Sequence, residues 1–519
     1  MRHRPPRKTN RSEIVRRTFY VTTPIYYVTA QPHIGTAYTT IAADVLARYR
    51  RQCGFDVHFL TGTDEHGLKV QRAAEEHGCT PRELADRVVA QYREAWDLLE
   101  ISYDDFIRTT EPRHERTVQT VYQRLYDAGE LYLADYEGWY CVSCESFLKE
   151  SGDGAPKCPE CGRLGERNAE RSYFFRLGKY RDRLLAFYDG HPDFVQPQAR
   201  MNEVRSRVEE GLRDLSVTRA TLEWGVPMTF DPAHHAYVWI DALVNYISAI
   251  GYGSDPGRFS RLWPADVHIV GKDIIWFHAV IWPCLLMALG LEPPRMIFAH
   301  GWWTHNGEKM SKSKNNFVVP AEVVAEYGAD AFRYFILREL PFGLDGDYRD
   351  SAMLQRYNSD LAGDLGNLVH RALAMIERYA DGVLPQPAAE PRGPLAESLS
   401  GLAEDVERAM SGLQFSRALE RIWEFVRRAN QYVEERKPWE LAKMRSDRPR
   451  LDATLYHLAE SLRILSVLLA PTMPATAAAI AGRLGIEQER RPLPEALEWG
   501  GLRPGVHVRR GEPLFPRKE

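Results

Sequence analysis

Four of the seven cysteines stand in two C-x-x-C pairs, a spacing typical of metal ligands. The candidate ligands are Cys141, Cys144, Cys158 and Cys161. Four thiolates suit tetrahedral Zn²⁺, and a site closed by four protein ligands is structural rather than catalytic. The odd cysteine count argues against a disulfide framework, so we expect a reducing, cytoplasmic compartment. One structural zinc per chain is therefore predicted, with a redox dithiol as the weaker alternative.

A second candidate site is the sequence HIGT at residues 33–36, which follows a β-rich run and precedes a helical pattern. The N-terminus of a helix presents backbone N–H groups and the positive end of the helix dipole, and both suit a phosphate. Gly35 would let a ligand approach the backbone closely, and His33 would add a hydrogen-bond donor. A histidine that only caps the helix is the alternative interpretation.

The third candidate is the stretch GEKMSKSKNN at residues 307–316. Its lysines are Lys309, Lys312 and Lys314, and hydroxyl side chains such as Ser311 lie between them. This composition predicts a flexible cationic loop that fits a migrating phosphate charge. A solvated run of surface charge is the alternative.

The pattern of elements around these residues predicts an α/β region followed by an all-α domain. Apolar strand candidates occur at 19–23, 57–60, 267–270 and 296–299, and loops with chemically active residues follow them. In a parallel sheet, such loops meet at the carboxyl edge, where ligands bind. The cysteine pairs lie in a stretch with little apolar periodicity, which predicts an insertion that splits the sheet. Beyond residue 360 the periodicity is helical.

Composition excludes several other classes of protein. The chain has 519 residues, 44% of them hydrophobic, and a net charge of −4. These values exclude global disorder and a uniformly basic coat, but they leave room for a local nucleic-acid-binding face. The longest apolar stretch is shorter than the ~20 residues that a membrane-spanning helix needs, so no membrane association is expected.

Several separated motifs together resemble one family. HIGT at 33–36 and KMSKS at 309–313 resemble the two signature motifs of class I aminoacyl-tRNA synthetases. Further motifs in the expected order resemble the methionyl-tRNA synthetase family within that class: YVTTPIYY at 20–27, TGTDEHG at 61–67, YVWIDA at 237–242, GKD at 271–273, DLGN at 364–367 and KPWE at 437–440. The resemblance covers roughly residues 19–485. Thr36 departs from it, because the signature ends in histidine at this position.

The resemblance implies a Rossmann-type parallel-sheet catalytic domain that is split by a zinc-knuckle insertion and followed by a helical-bundle anticodon-binding domain. The expected segments are a basic, disordered extension at 1–18, the first catalytic half at 19–120, the connective insertion at 121–225, the second catalytic half at 226–300, the lysine-loop and stem-contact region at 301–365, and the anticodon-binding domain at 366–519.

The resemblance also implies roles for individual residues. The catalytic residues would be His33, Thr36, Lys309 and Lys312, and ATP, accompanied by Mg²⁺, would contact these together with Gly35 and Ser311. The methionine pocket would be lined by Ile25, Tyr27, Trp239, Ala242, Tyr246, Ile274, His278 and Trp282, with Asp64 meeting the amino group. The tRNA anticodon would be read by Asn367, Arg371 and Trp439.

The implied activity is formation of methionyl-adenylate from methionine and ATP, followed by transfer to initiator and elongator tRNA(Met). The chain is expected to act as a monomer, since no segment resembling an appended dimerisation domain follows the helical region. Three alternatives stay open at this point: a specialised or weakly active paralogue, which Thr36 motivates; a non-catalytic RNA-binding paralogue; and a class I synthetase for another amino acid.

Overall fold

The computed structural model of the protein describes residues 17–142, 145–148, 154–159, 162–310, 316–387, 390, 392–487, 491 and 493–519. The predicted N-terminal extension therefore lies almost wholly outside the described residues. Within the described ranges, none of the helices combines the length and hydropathy needed to cross a bilayer.

The first catalytic half alternates strands and helices, as the apolar runs predict. Its elements are β1 (Thr18–Thr22), β2 (Tyr26–Tyr27), α1 (Ile34–Gln52), β3 (Asp56–Asp64), α2 (Leu68–Glu76), α3 (Pro81–Leu98), β4 (Asp105–Arg108) and α4 (Pro112–Asp127). Strand β3 is longer than the run predicted at 57–60 and carries the chain to Asp64. In the motif TGTDEHG at 61–67, the first four residues therefore belong to strand β3, and the loop begins after Asp64.

The insertion forms a small antiparallel sheet and two helices. Its elements are β5 (Leu131–Cys141), β6 (Ser146–Leu148), β7 (Glu166–Phe175), α5 (Arg181–Gly190), β8 (Val195–Gln196), α6 (Gln198–Glu209), β9 (Leu215–Ser216) and β10 (Thr218–Arg219). Strand β10 pairs with β11 (His235–Ala236), which lies beyond the predicted end of the insertion. Strands β6, β5, β7 and β9 pair in that order.

The second catalytic half completes the parallel sheet. It contains α7 (Val238–Ser248), α8 (Pro256–Leu262), β12 (Val267–Gly271), α9 (Trp282–Ala288) and β13 (Ile297–His300). Strands β4, β3, β1, β12 and β13 lie side by side and parallel, with β2 continuing beside β3. Strand β8 extends this sheet by pairing in parallel with β13, although it falls in the range 121–225 predicted as insertion. Two residues are too short a strand to give a sequence signal.

The lysine-loop region and the helical domain follow. The former contains β14 (Trp303–His305), β15 (Glu308–Lys309), α10 (Pro320–Tyr327), α11 (Ala329–Arg338), β16 (Gly346–Tyr348) and α12 (Asp350–Arg356). The helical domain contains α13 (Asn367–Ala380), α14 (Pro394–Glu397), α15 (Leu402–Ser411), α16 (Phe415–Arg436), α17 (Pro438–Leu441), α18 (Arg448–Leu469), α19 (Pro474–Arg483) and α20 (Leu493–Ala496). The predicted fold class, a parallel-sheet domain followed by an all-α domain, is confirmed.

Helix α1 joins the sheet to the helical domain. Its buried Asp44 accepts a hydrogen bond from the Arg333 guanidinium at 2.6 Å, and the same guanidinium donates to the Thr472 carbonyl at 2.8 Å. Near the end of α1, Arg50 donates to Glu407 of α15 at 3.0 Å. These contacts orient the helix whose N-terminus forms part of the candidate site.

Candidate active site

The N-terminus of α1 is capped by the imidazole of His33. Its Nδ1 accepts a hydrogen bond from the backbone N–H of Gly35 at 3.1 Å, so in the neutral ring the proton is on Nε2. Burial lowers the pKa of His33 to about 4, which keeps the imidazole neutral at physiological pH. His33 is therefore both the helix cap and a donor through Nε2–H.

The space above Gly35 is taken by the protein itself. A Cβ at Gly35 would lie 2.9 Å from Cε1 of His33, so glycine is needed for the ring to fold back over the helix. The N–H of Ile34 is also engaged, since it donates to the Val318 carbonyl at 3.0 Å. In this conformation the His33 ring covers the face of Gly35, and the contact of Gly35 with ATP stays a prediction. Attraction for a phosphate at this corner comes from the helix dipole and from Nε2–H of His33.

Thr36 closes the other half of the helix cap. Its hydroxyl oxygen accepts from the His33 backbone N–H at 3.0 Å, and its proton goes to the His33 carbonyl at 2.8 Å. Thr36 has the geometry of the third position of a capping box. In this conformation its hydroxyl proton serves the helix, so contact with a phosphate would require the side chain to turn.

This geometry predicts the effect of removing the Thr36 hydroxyl. Thr36→Val keeps the shape but loses both bonds to His33, and we expect it to lower the free energy of unfolding by about 0.5–2 kcal/mol. Thermal melting of the variant measures the loss. Thr36→Ser, which retains the hydroxyl, is the matched control and should melt like the wild type. Equal melting of the valine and serine variants would contradict the capping role.

The chain that follows the predicted lysine loop reaches this corner. The backbone of Lys309 lies in β15, whereas Ser311 and Lys312 lie outside the described residues. The chain returns at Phe317, whose ring centroid is 5.3 Å from that of His33, and Val318 accepts the hydrogen bond from Ile34. The segment that directly follows the second signature motif is therefore in contact with the N-terminus of α1, where the first motif lies.

The aromatic residues that the resemblance assigns to the methionine pocket cluster at the carboxyl edge of the sheet, between β2, α7 and the helical segment after β12. The rings of Tyr27 and Trp239 meet edge to face at 6.2 Å, and Phe277 stacks on Trp239 at 3.9 Å. Tyr246 contacts the rings of both His278 and Trp282. Of the remaining predicted lining residues, Ile25 and Ile274 pack against the same core, and Ala242 is buried on α7. Phe277 was not predicted, although it directly precedes His278.

The most deeply buried end of the predicted pocket holds a neutral His278–Tyr246 pair. Nδ1 of His278 lies 2.9 Å from the Ile274 carbonyl, so this nitrogen carries the proton. Nε2 of His278 then accepts from the Tyr246 hydroxyl at 2.7 Å. Burial lowers the pKa of His278 to about 4, in agreement with a neutral ring. The pocket is thus uncharged at this end and suits an apolar, polarisable side chain.

The other end holds the carboxyl of Asp64, beside Tyr27 in the strand register. Asp64 is 2% exposed, and its Oδ1 accepts no hydrogen bond from the described residues. Burial, reinforced by the carboxylates of Asp241 and Glu145, raises the pKa of Asp64 well above its ordinary value. A buried carboxylate without a partner is unfavourable, and a bound cation would remove that penalty.

Asp241 is ionised and fixed by two histidines. Its Oδ2 lies 2.7 Å from Nδ1 of His66, and its Oδ1 lies 2.9 Å from Nε2 of His114. Burial alone would raise the pKa of Asp241, but the two histidines outweigh burial and lower that pKa to about 2. The negative charge beside Asp64 is therefore permanent. His66 and Asp241 lie in motifs read from the sequence, but nothing there indicated their contact.

The structure describes two of the four predicted zinc ligands. Cys141 ends β5 and Cys158 begins a tight turn, and both are buried. In that turn the Cys158 carbonyl accepts from the N–H of Gly162 at 2.8 Å, and its own N–H donates to the Arg163 carbonyl at 2.8 Å. A tight turn around a buried thiol fits a C-x-x-C knuckle. Cys144 and Cys161 lie outside the described residues. Within the described residues, no three His, Cys, Asp or Glu side chains are grouped so that they could hold a metal ion.

The predicted anticodon residues lie at neighbouring positions of the helical domain. Asn367 is exposed at the start of α13, and Arg371, one turn later, donates to Glu434 of α16 at 2.7 Å. This ion pair places α13 next to the end of α16. Lys437, with a φ of 45°, then reverses the chain into α17, where Trp439 is half-buried. The Trp439 ring is thus partly available to a ligand.

Fold and site together define a class of protein. A parallel sheet with a capped helix at its carboxyl edge, and a separate helical domain after it, is the architecture of a class I aminoacyl-tRNA synthetase. The family model described as tRNA synthetases class I (M) matches residues 19–169 and 154–373. The model for the anticodon-binding domain of tRNA ligase matches residues 395–496.

Individual relatives specify the family. The chain is 52% identical to the methionine–tRNA ligase of Caldanaerobacter subterraneus subsp. tengcongensis, over 97% of this chain and 79% of that protein. It is 47% identical to the methionine–tRNA ligase of Thermotoga maritima, over 96% of this chain and 80% of that protein. The structure of Mycobacterium tuberculosis methionyl-tRNA synthetase in complex with methionyl-adenylate matches with a TM-score of 0.93 and 43% identity, over 96% of this chain and 100% of that one. The chain belongs to the methionyl-tRNA synthetase family.

Proposed function

We propose that this chain is a methionine–tRNA ligase. It activates L-methionine with ATP to methionyl-adenylate and pyrophosphate, and then transfers the methionyl group to the terminal adenosine of tRNA(Met), initiator and elongator, releasing AMP. The observation that carries the proposal is the buried carboxyl of Asp64, whose Oδ1 accepts no hydrogen bond from the described residues, next to Tyr27 of the aromatic cluster. That combination matches an amino acid with an ammonium group and an apolar thioether side chain.

The residues have separate roles in the first step. Asp64 pairs with the methionine ammonium, and Tyr27, Trp239 and Tyr246 enclose the side chain. Nε2–H of His33 donates to the phosphate groups of ATP at the N-terminus of α1. Lys309 and Lys312 follow the charge onto the leaving pyrophosphate, and Mg²⁺ accompanies the ATP. Displacement at phosphorus needs positioning and charge stabilisation rather than a protein nucleophile.

The test of this function is pyrophosphate exchange measured with each standard amino acid in turn. Exchange that depends on methionine alone is the expected result. Exchange with another amino acid would contradict the substrate assignment. The absence of exchange with every amino acid would favour a non-catalytic RNA-binding paralogue, and weak methionine-dependent exchange would favour a specialised copy.

Trp439 is proposed to stack on an anticodon base. Trp439→Ala should lose about 1–3 kcal/mol of tRNA recognition, which is roughly 5- to 150-fold in kcat/KM for aminoacylation. Pyrophosphate exchange should be unchanged, because it takes place in the parallel-sheet domain. Met444→Ala is the matched control, since Met444 is a highly exposed neighbour in the same domain. Parallel losses of exchange and aminoacylation, with a lower melting temperature, would indicate a purely structural tryptophan.

A structural zinc held by Cys141, Cys144, Cys158 and Cys161 is proposed for the insertion. The metal would supply folding free energy to a segment too small to fold on its own core. Cys144→Ser should lower the zinc content from one ion per chain, measured by elemental analysis of the purified protein. Cys79→Ser, outside the insertion, should retain the ion. Full zinc content in the Cys144 variant would show that the ligand set is wrong.

The segment boundaries, the cytoplasmic location and the monomeric state remain predictions. Sedimentation at low micromolar concentration tests the last of these, and a tight dimer would contradict it.

A further inference from the structure

Glu145 connects the insertion to the proposed methionine pocket. It is 1% exposed, and its backbone φ of 47° is in the left-handed region, which is uncommon for residues other than glycine. Its Oε2 accepts a hydrogen bond from the Tyr27 hydroxyl at 3.2 Å, and its Oε1 accepts from the Lys69 backbone N–H at 3.1 Å. One carboxylate of the insertion thus contacts both β2 and the start of α2.

The surroundings leave Glu145 little freedom. A Cβ at Gly67 would lie 2.6 Å from its Oε1, and Gly67 has a φ of 106°, so the position next to the carboxylate requires glycine. The backbone carbonyl of Glu145 accepts from the Tyr237 hydroxyl at 2.5 Å. Tyr237 directly precedes α7, the helix that carries Trp239 and Tyr246 into the pocket. These hydrogen bonds hold Glu145 in place and tie it to the start of α2 and the start of α7.

Tyr27 is held on three sides. Its hydroxyl donates to Glu145, its ring meets Trp239 edge to face, and the Lys69 ammonium lies 4.3 Å from the centre of the ring. On another side, Glu145 lines a cavity of about 250 Å³ together with Tyr140, Arg219 and Tyr237. Truncation of Glu145 would open this cavity towards Tyr27 and leave the Tyr27 hydroxyl without its acceptor.

We propose that Glu145 is a positioning residue for methionine binding, which holds the ring of Tyr27 and the start of α7 in the geometry that the substrate side chain needs. This role rests on the proposed function, because the pocket it serves is the one assigned there to methionine. Among the described residues, the hydrogen bonds of Glu145 go to Tyr27, Lys69 and Tyr237, and none goes to His33 or Thr36 at the phosphate corner. Its loss should therefore affect methionine and spare ATP.

The experiment measures pyrophosphate exchange of the full chain against methionine and against ATP. Glu145→Ala should raise KM for methionine about tenfold, as expected for a buried hydroxyl that loses its acceptor, with KM for ATP unchanged. Glu145→Gln should stay near the wild type, because its amide can accept from Lys69 and donate to the Tyr27 oxygen. Glu166→Ala is the matched control, since Glu166 also links the insertion to α2, through Arg72, but is exposed. It should leave both KM values unchanged.

Tyr27→Phe supplies an independent variant. Alone it should raise KM for methionine, and in the Glu145→Ala background it should add little, because both changes remove the same hydrogen bond. If Glu145→Ala does not fold, Tyr27→Phe alone tests the proposal. An unchanged KM for methionine in Tyr27→Phe would then overturn the positioning role of Glu145. Equal rises of both KM values in Glu145→Ala, or a Gln variant as impaired as the Ala variant, overturn it as well. A wild-type chain without methionine-dependent exchange would contradict the proposed function instead.

Discussion

Asp64→Asn is expected to lower kcat/KM for methionine in pyrophosphate exchange by about 30- to 5,000-fold, the range for removing one charge of a buried ion pair. The substrate ammonium would enter a buried site with no compensating anion, and the ionised Asp241 nearby cannot replace Asp64 because two histidines already bind its oxygens. Most of the loss should fall on KM for methionine. KM for ATP should keep its wild-type value.

A matched control is available on the same strand. Asp56→Asn makes the same chemical change at the other end of β3, where the carboxylate is half exposed and pairs with Arg261. This variant should bind methionine like the wild type. Unchanged KM for methionine in Asp64→Asn would show that the ammonium is recognised elsewhere.

The raised pKa of Asp64 also predicts a pH dependence. Only the carboxylate can pair with the ammonium, and burial moves its protonation to a pH above that of an ordinary aspartate. The affinity for methionine should therefore fall as the pH is lowered through this raised pKa, and near or below that pKa methionine binding should release a proton. Titration calorimetry in buffers of different ionisation enthalpy measures that proton. In Asp64→Asn the proton release should disappear.

His33→Asn is expected to lower kcat of pyrophosphate exchange by about 10²–10³-fold, the range for removing one preorganised donor to a developing charge. Asparagine is a good helix cap and can still accept the Gly35 N–H, so the change separates capping from catalysis. The melting temperature should stay near that of the wild type. If His33→Asn kept the full kcat, His33 would only cap the helix, which is the alternative interpretation given in the sequence analysis.

The pKa of His33 gives this prediction a second measurement. Because burial lowers it to about 4, the imidazole keeps one proton throughout the neutral range and donates through Nε2–H. Wild-type kcat should therefore show no titration of His33 near pH 6.5, the ordinary value for histidine. A rise or fall of kcat there that vanishes in His33→Asn would contradict the neutral-donor role.

Local pattern in the sequence was sufficient for much of this molecule. Four strands of the parallel sheet, the split of that sheet and the helical domain followed from apolar periodicity, because period and turn residues act over a few neighbours. The family followed from motifs such as HIGT and KMSKS, whose residue types and order are specific even without contacts. The pocket residues Trp239, Tyr246 and His278 came from the same resemblance, and the structure brings their rings to the edge of the sheet.

Other features depended on how distant segments pack, and no local pattern indicated them. Glu145 reaches Tyr27 across 118 residues, and Asp241 meets His66 across 175, so both contacts exist only once the insertion and α7 are docked on the sheet. The same holds for β8, which joins the sheet through pairing with β13. From the sequence, Gly35 was expected to let a ligand approach the backbone and Thr36 to bind a phosphate. In the structure, Gly35 leaves room for the His33 ring, and the Thr36 hydroxyl accepts a hydrogen bond from the His33 backbone. Sequence alone determined the residues able to do the chemistry; packing decided which of their atoms remain available, because each hydrogen bond made within the fold occupies a donor or an acceptor.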